Sequence, residues 1–285
     1  MLKNGKNGGF MIVSSKIFKR EIVMTITLAL AILGSVLLIN NHAKTTKNIL
    51  ITNLEQLHQR IEKVHSKALK GIAKEFNIPK DEWQATMTAF SQFAAKNDLL
   101  RPFSGSYTKT DDPIANRVKE SLAQAGINPA KVEICYIDNP ECTLVARQEC
   151  DNEHIWHYID INKQWLQKRS EAVQKAILAH EIEHLKHFDS IESAFIIELL
   201  AKYGHTFDDY DKSKAVKSYR HSREYRADLL AAARDVSIAK ALQDDLKTLA
   251  DTKYPTTNEH PAALARYNQV SLLVKNMHEN QPKIA

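Results

Sequence analysis

Residues 179–184 read Ala-His-Glu-Ile-Glu-His, with His180 and His184 four positions apart and Glu181 directly after the first. On a helix, positions i and i+4 lie one turn apart on the same face. Both imidazoles can therefore reach a single metal ion. Glu181, beside the first of them, can lean over that ion without binding it. The chemistry such a trio would do is hydrolysis. A metal lowers the pKa of a bound water to roughly neutral, and a nearby carboxylate can then take its proton.

The pentad is a known signature of zinc proteases, but it is short enough to occur by chance on a charged helix. Two histidines also leave such a centre one protein ligand short, with a further position kept open for water. Downstream, Ser222-Arg223-Glu224-Tyr225-Arg226-Ala227-Asp228 again sets two candidate groups at i and i+4. Glu224 is the candidate third ligand. Asp228 is the candidate to accept the free N–H of a ligand histidine and so fix its tautomer. Taken alone, both carboxylates could equally pair with Arg223 and Arg226 on a solvated helix, where exposed pairs contribute little.

Asn258-Glu259-His260-Pro261 and Arg266 follow. In this order the three segments resemble the M48 family of zinc metallopeptidases, the Ste24-like and HtpX-like proteases and their periplasmic relatives. The resemblance covers roughly Ile114 to Tyr267 and leaves residues 1–100 unexplained. It implies an α+β, zincin-like fold and one Zn2+ per chain held by His180, His184 and Glu224. It further implies Glu181 as the base and Asp228 as support. His260 matches the family's His-Pro histidine, and is expected either to stabilise an oxyanion or to cap the metal when substrate is absent. Arg266 is expected to anchor that loop through a carboxylate. The chain departs from the family at Glu183, where small residues are common, and in lacking a glycine-rich run before the catalytic helix. The first departure reads as a surface detail.

The elements that must carry these residues are mostly helical. Ser170 to Phe188 has a strong helical pattern. Before it lie three strand-like runs, Val132–Ile137, Thr143–Arg147 and His154–Ile161. The last directly precedes the motif helix and is expected at the sheet edge, where an extended peptide could pair with it. A helix is expected from Ile114 to Ala125, stopped by Gly126 in a left-handed cap. Leu50, Leu54, Leu57, Ile61, Val64 and Ala68 form a stripe that packs on the chain's own domain in preference to a coiled-coil partner. Asn77-Ile78-Pro79 breaks that helix, and a second is expected from Lys80 to Asn97. The helical region 44–100 could be a spacer, a cover for the site or a partner surface. His154, His157 and His187 are expected to stay off the metal.

Of the net charge of +5, five positive charges come from Lys3, Lys6, Lys16, Lys19 and Arg20, in a stretch without any acid. The remainder is formally neutral, which argues against nucleic acid as a partner. Ile22 to Ile39 is an 18-residue run without charge, long enough as a helix to span a hydrocarbon layer of roughly 30 Å. The heavier positive flank should stay in the cytoplasm. The catalytic bulk is then extracytoplasmic, and periplasmic in a bacterium. Asn41-His42-Ala43 is not the small-x-small pattern of a signal cleavage site, so an uncleaved anchor is preferred to a signal. Residues 1–21 thus read as a basic cytoplasmic tail, 22–39 as a single-pass membrane anchor, 44–100 as a helical region and 101–285 as a zinc protease domain. Polypeptides, among them misfolded or unassembled envelope proteins, are the expected substrates. The alternative is a non-catalytic zinc-binding or chaperone-like module, which would not need Glu181. Cys135, Cys142 and Cys150 form no CxxC pair; two could form a disulfide, or all three could be ordinary thiols.

Overall fold

The computed structural model describes residues 55–97, 99, 102–138, 143–151, 154–253 and 256–279. The expected anchor Ile22–Ile39 and Cys142 lie outside them. Among the described residues no helix is long and apolar enough to cross a membrane.

The fold is α+β, mostly helical with one small sheet. Helix α1 covers 55–75, and α2 (Lys80–Ala95) and α3 (Pro113–Gln124) follow it. Gly126 ends the turn after α3 at φ 78°, a conformation that costs an L side chain and not glycine. Strands β1 (Val132–Tyr136), β2 (Leu144–Cys150) and β3 (Ile155–Ile161) come next. The rest of the chain is α4 (Lys163–Gln167), α5 (Glu171–Lys186), α6 (Asp189–Lys202), α7 (Phe207–Lys212), α8 (Lys214–Arg234), α9 (Val236–Asp251) and α10 (Ala263–Glu279).

The strand order is β1-β3-β2, with β1 parallel and β2 antiparallel to β3. The expectation of β3 at the edge is therefore corrected: β3 is the central strand. Its alternate residues His157, Ile159 and Ile161 are buried, so one face of the sheet packs on the core. The β2–β3 hairpin places β2 on the outer side, and β2 lies against α5.

Leu178, Ile182 and Leu185 give α5 an apolar face at helical spacing, which joins Ile159, Ile161, Val118, Leu122 and Phe188 in the main core. Ser170 caps its start by accepting from the Val173 N–H, satisfying one of the donors that a helix N-terminus leaves free. At its end, Phe188 adopts a left-handed conformation (φ 54°). Such a turn is strained for a bulky residue, and the nearly complete burial of Phe188 in the core offsets that strain. Helix α6 starts directly after Phe188, at Asp189, whose carboxylate meets His184 in the last turn of α5.

A second core joins α1 and α2 to α6 and α8 through Ile72, Phe76, Trp83, Leu199 and Tyr219. Helix α1 packs on its own domain, but its buried face is rotated from the expected stripe. Val64 is 56% exposed and His65 only 3%. The cause is polar: His65 Nδ1 meets Ser222 Oγ at 2.9 Å and its Nε2 meets Glu192 Oε2 at 3.1 Å. Small residues Ala176, Ala232 and Ala239 form part of a third core of α5, α8, α9 and α10.

Candidate metal centre

On α5, His180 and His184 turn away from the sheet and towards α8, whose register brings Glu224 opposite both. His180 Nε2 lies 3.0 Å from His184 Nε2 and 3.5 Å from Glu224 Oε2, while His184 Nε2 lies 3.3 Å from Glu224 Oε1. Ligands at 2.0–2.1 Å from a tetrahedral ion are about 3.3 Å from one another, so these spacings match one shared ion. The other ring nitrogens are engaged elsewhere. His184 Nδ1 meets Asp189 Oδ2 at 2.6 Å. His180 Nδ1 faces Asp228 Oδ1 at 2.9 Å, close but poorly aligned for a hydrogen bond. With each Nδ1 facing a carboxylate, a ring that gives up its second proton to a metal keeps the one on Nδ1 and turns a lone pair from Nε2 into the centre. Two such lone pairs and a carboxylate, nearly excluded from water, call for a cation. The buried group His180, His184 and Glu224 could thus hold a metal, although its donor set suits several transition ions.

Charge in the centre follows from its neighbours. Burial pulls the His180 and His184 imidazoliums down, but the carboxylates outweigh it. Asp228 and Glu224 raise His180 to about 9, and Asp189 and Glu224 raise His184 to about 10. For Glu224 burial acts upward and loses to His180, His184 and His260, which hold it well below the usual carboxylate range. Burial is likewise outweighed at Asp228 by Arg266 and His180, and at Asp189 by Arg226, His184 and Arg223.

Arg266 donates from Nε and Nη2 to the two oxygens of Asp228, each at 2.7 Å, and lies 3.3 Å from Glu224 Oε2. It thus meets both the Asp228 carboxylate and the third candidate ligand. His260 Nδ1 lies 3.0 Å from Glu224 Oε2, placing the His-Pro histidine against the third candidate ligand. Glu181 lies at the cleft beside the centre, where its Oε2 accepts from the Ala146 N–H at 2.8 Å. The cleft has a volume of ≈ 440 Å³, and Thr143, Leu144 to Ala146 of β2, Trp165, Ile177 and Leu242 line it with the centre itself. No described residue of 55–97 lines it, so α1 and α2 do not cover the site. They flank a separate cavity of ≈ 1220 Å³ that includes His65, Trp83, Met87 and His187.

Glu183 is not the surface detail expected. It is 2% exposed, accepts from Arg234 Nε at 2.9 Å and faces Lys186 and His187. Burial would raise its carboxyl, but His187, Arg234 and Lys186 bring it to about 2. Arg223 and Arg226 do not pair with Glu224 or Asp228; both turn to Asp189. His154 is exposed. His157 lies buried in the sheet, where burial, aided by the positive charge of Lys131, lowers it to about 4. Sequence reasoning missed Asp189 and the Ala146 N–H. The first had a faint mark, an acid five positions after His184; a peptide N–H has none. Cys135 on β1 and Cys150 at the end of β2 are both free.

No family model, no curated protein and no solved structure matches the chain.

Proposed function

We infer that this chain is a zinc-dependent endopeptidase, with a zincin-like catalytic domain of the kind the M48 resemblance implies. The observation that carries the reading is the convergence of His180, His184 and Glu224 beside a second carboxylate, Glu181, which binds none of them. A site that only stored metal would not need that carboxylate. When bound, the ion would supply the Lewis acidity that activates water and polarises a peptide carbonyl. Of the ions the donor set suits, zinc is the one proposed, because the helical HExxH pattern goes with it.

Glu181 then takes a proton from the attacking water and returns it to the leaving amine nitrogen, as a general base and acid. Asp228 and Asp189 hold the two rings in the tautomer that turns Nε2 inward. The His260 Nδ1–H donates to Glu224, so in this arrangement it orients the third ligand. Stabilising an oxyanion would require that ring to turn away. Beside the centre, the outer edge of β2 offers main-chain groups to an extended polypeptide, recognition with limited side-chain selectivity. The anchor Ile22–Ile39 and its charged flank would put the domain outside the cytoplasmic face of a membrane, with misfolded or unassembled envelope proteins as substrates.

The test compares the full chain, purified in detergent, with Glu181→Gln on a generic unfolded protein. Cleavage by the wild type that vanishes in the variant, with one zinc retained in both, is the expected result. Equal cleavage by both would refute the assignment of the base. Zinc bound by both with cleavage by neither would favour the non-catalytic module.

A further inference from the structure

The pairing of β2 determines which of its peptide groups face the cleft. At the two ends of the hairpin, Asn162 N–H donates to Thr143 O and Asp151 N–H donates to His154 O. Main-chain groups alternate sides along an antiparallel strand. Residues 145, 147 and 149 therefore turn theirs to β3, and Leu144, Ala146 and Gln148 turn theirs outward. Of this outward row, the Ala146 N–H is already engaged, donating to Glu181 Oε2 at 2.8 Å. Among the described residues it makes the only hydrogen bond to that carboxylate.

A second pin fixes the strand against the helix. Gln148 Nε2 donates to the Leu185 carbonyl at 3.0 Å. Two residues of strand rise about 6.8 Å and four residues of helix about 6.0 Å. The pairs 146 with 181 and 148 with 185 therefore run in step. The strand cannot slide along α5 without breaking both, and the seven paired residues of β2 hold it to β3.

A glutamate side chain has three rotatable bonds and loses rotamer freedom when it is fixed. We propose that the main-chain N–H of Ala146 is a positioning group for the reaction, tying one oxygen of Glu181 to the sheet so that the other faces the attacking water. This rests on the reading of Glu181 as the base. A peptide donor suits the task because it has no torsion of its own through which to drift.

The experiment replaces Ala146 by lactic acid in the full chain through nonsense suppression, exchanging the N–H for an ester oxygen and leaving the side chain intact. The same exchange at Arg147 removes a donor that faces β3 and serves as the structural control. Wild type and Glu181→Gln are measured beside them on one unfolded substrate, with zinc content and thermal unfolding recorded. The Ala146 ester is expected to lower kcat roughly ten- to a hundred-fold, part of the 10²–10⁴ that a positioned base supplies. KM should stay within about two-fold and zinc at wild-type level. The Arg147 ester should lower stability and leave kcat unchanged. If the Ala146 ester does not fold, Ala146→Pro removes the same donor at an outward edge position, where proline is tolerated, and the same fall in kcat is expected. An unchanged kcat, an equal fall in the Arg147 ester, or a rise in kcat (the mark of a latch) would each overturn the proposal. A wild type that does not cleave, or cleavage that survives Glu181→Gln, would overturn the hydrolytic reading itself and the proposal with it.

Discussion

Behind His180 stands Asp228, four residues after Glu224 on α8, and behind Asp228 stands Arg266 of α10. Behind His184 stands Asp189, the first residue of α6, and behind that stand Arg226 and Arg223 of α8. Each candidate ligand histidine thus has an aspartate, and each aspartate has arginine. The attachments differ. Asp228 arrives by helix register alone, on the same face as Glu224, the third candidate ligand. Asp189 arrives by the left-handed turn at Phe188, and Arg226 continues outward to within 3.8 Å of Glu62 on α1. The same local chemistry has been assembled by two routes, one tying the centre to α10 and the other to α1.

Glu224 belongs to both arms, since its two oxygens face the two histidines separately. Glu224→Ala should therefore have the largest effect. Loss of the metal removes several kcal/mol of transition-state stabilisation, which is roughly 10³-fold or more in rate. Steady-state turnover and bound zinc, measured on the same preparation, should fall together. Retained zinc with lost turnover would show that the two histidines suffice as ligands.

The arms should then separate in stability, measured in urea on metal-free protein. Among the described residues, Asp189→Ala leaves Arg223 with no carboxylate and Arg226 with only the half-buried Glu62 at 3.8 Å. Removing one partner of a buried pair typically costs about 3–5 kcal/mol. Asp228→Ala leaves Arg266, which retains Glu224 at 3.3 Å, and should cost about 1 kcal/mol less or better. Equal losses would mean that the second arginine behind Asp189 contributes nothing.

The two routes also differ in how far they could be read beforehand. Asp228 was legible because an i, i+4 pair of carboxylates stands out in any helix. Asp189 was not, because its delivery depends on a left-handed turn at Phe188, a residue type that seldom adopts one. The elements show the same division. Three strands and the motif helix were legible from local pattern, whereas β3 at the centre and β2 beside the site were not. Pairing order is decided by packing between distant segments. Glu183 was misread for a similar reason: its partner Arg234 lies on another helix, 51 positions away. His65 was missed inside a stripe of apolar spacing because its partners, Ser222 and Glu192, are equally remote.

A third buried histidine sharpens the contrast. Among the described residues, His157 has neighbours Gln148 and Asn97 and no carboxylate in contact. Its Nδ1 accepts from Gln148 Nε2, and its Nε2–H donates to Asn97 Oδ1. That pattern fits the neutral ring, and burial lowers its pKa from 6.5 to about 4. Between those values the unfolded chain takes up a proton that the folded chain refuses. Stability from this site is complete above pH 6.5 and is lost as pH falls to about 4, on the order of 3 kcal/mol in all. The difference in unfolding free energy between wild type and His157→Gln should accordingly shrink with acid across this window. A constant difference would show that burial alone does not hold the ring neutral.

The smallest expected effects compare the arms in their shared task. Asp228→Asn and Asp189→Asn each keep an acceptor oxygen for the histidine N–H and remove the charge that raises the basicity of the ring. Outer partners of this kind are worth 10- to 100-fold in metal affinity, or roughly 1.4–2.7 kcal/mol. If support for a ligand depends on the carboxylate and not on the route by which it arrives, the two substitutions should weaken zinc binding by similar factors in competition with a chelator. Their stability costs should still differ, as for the alanines. A much larger loss for Asp189→Asn would place the coupling in Arg226, whose freed guanidinium could then turn from Asp189 towards Glu62. In that case Glu62→Gln on α1, which touches no candidate ligand, should change zinc affinity as well.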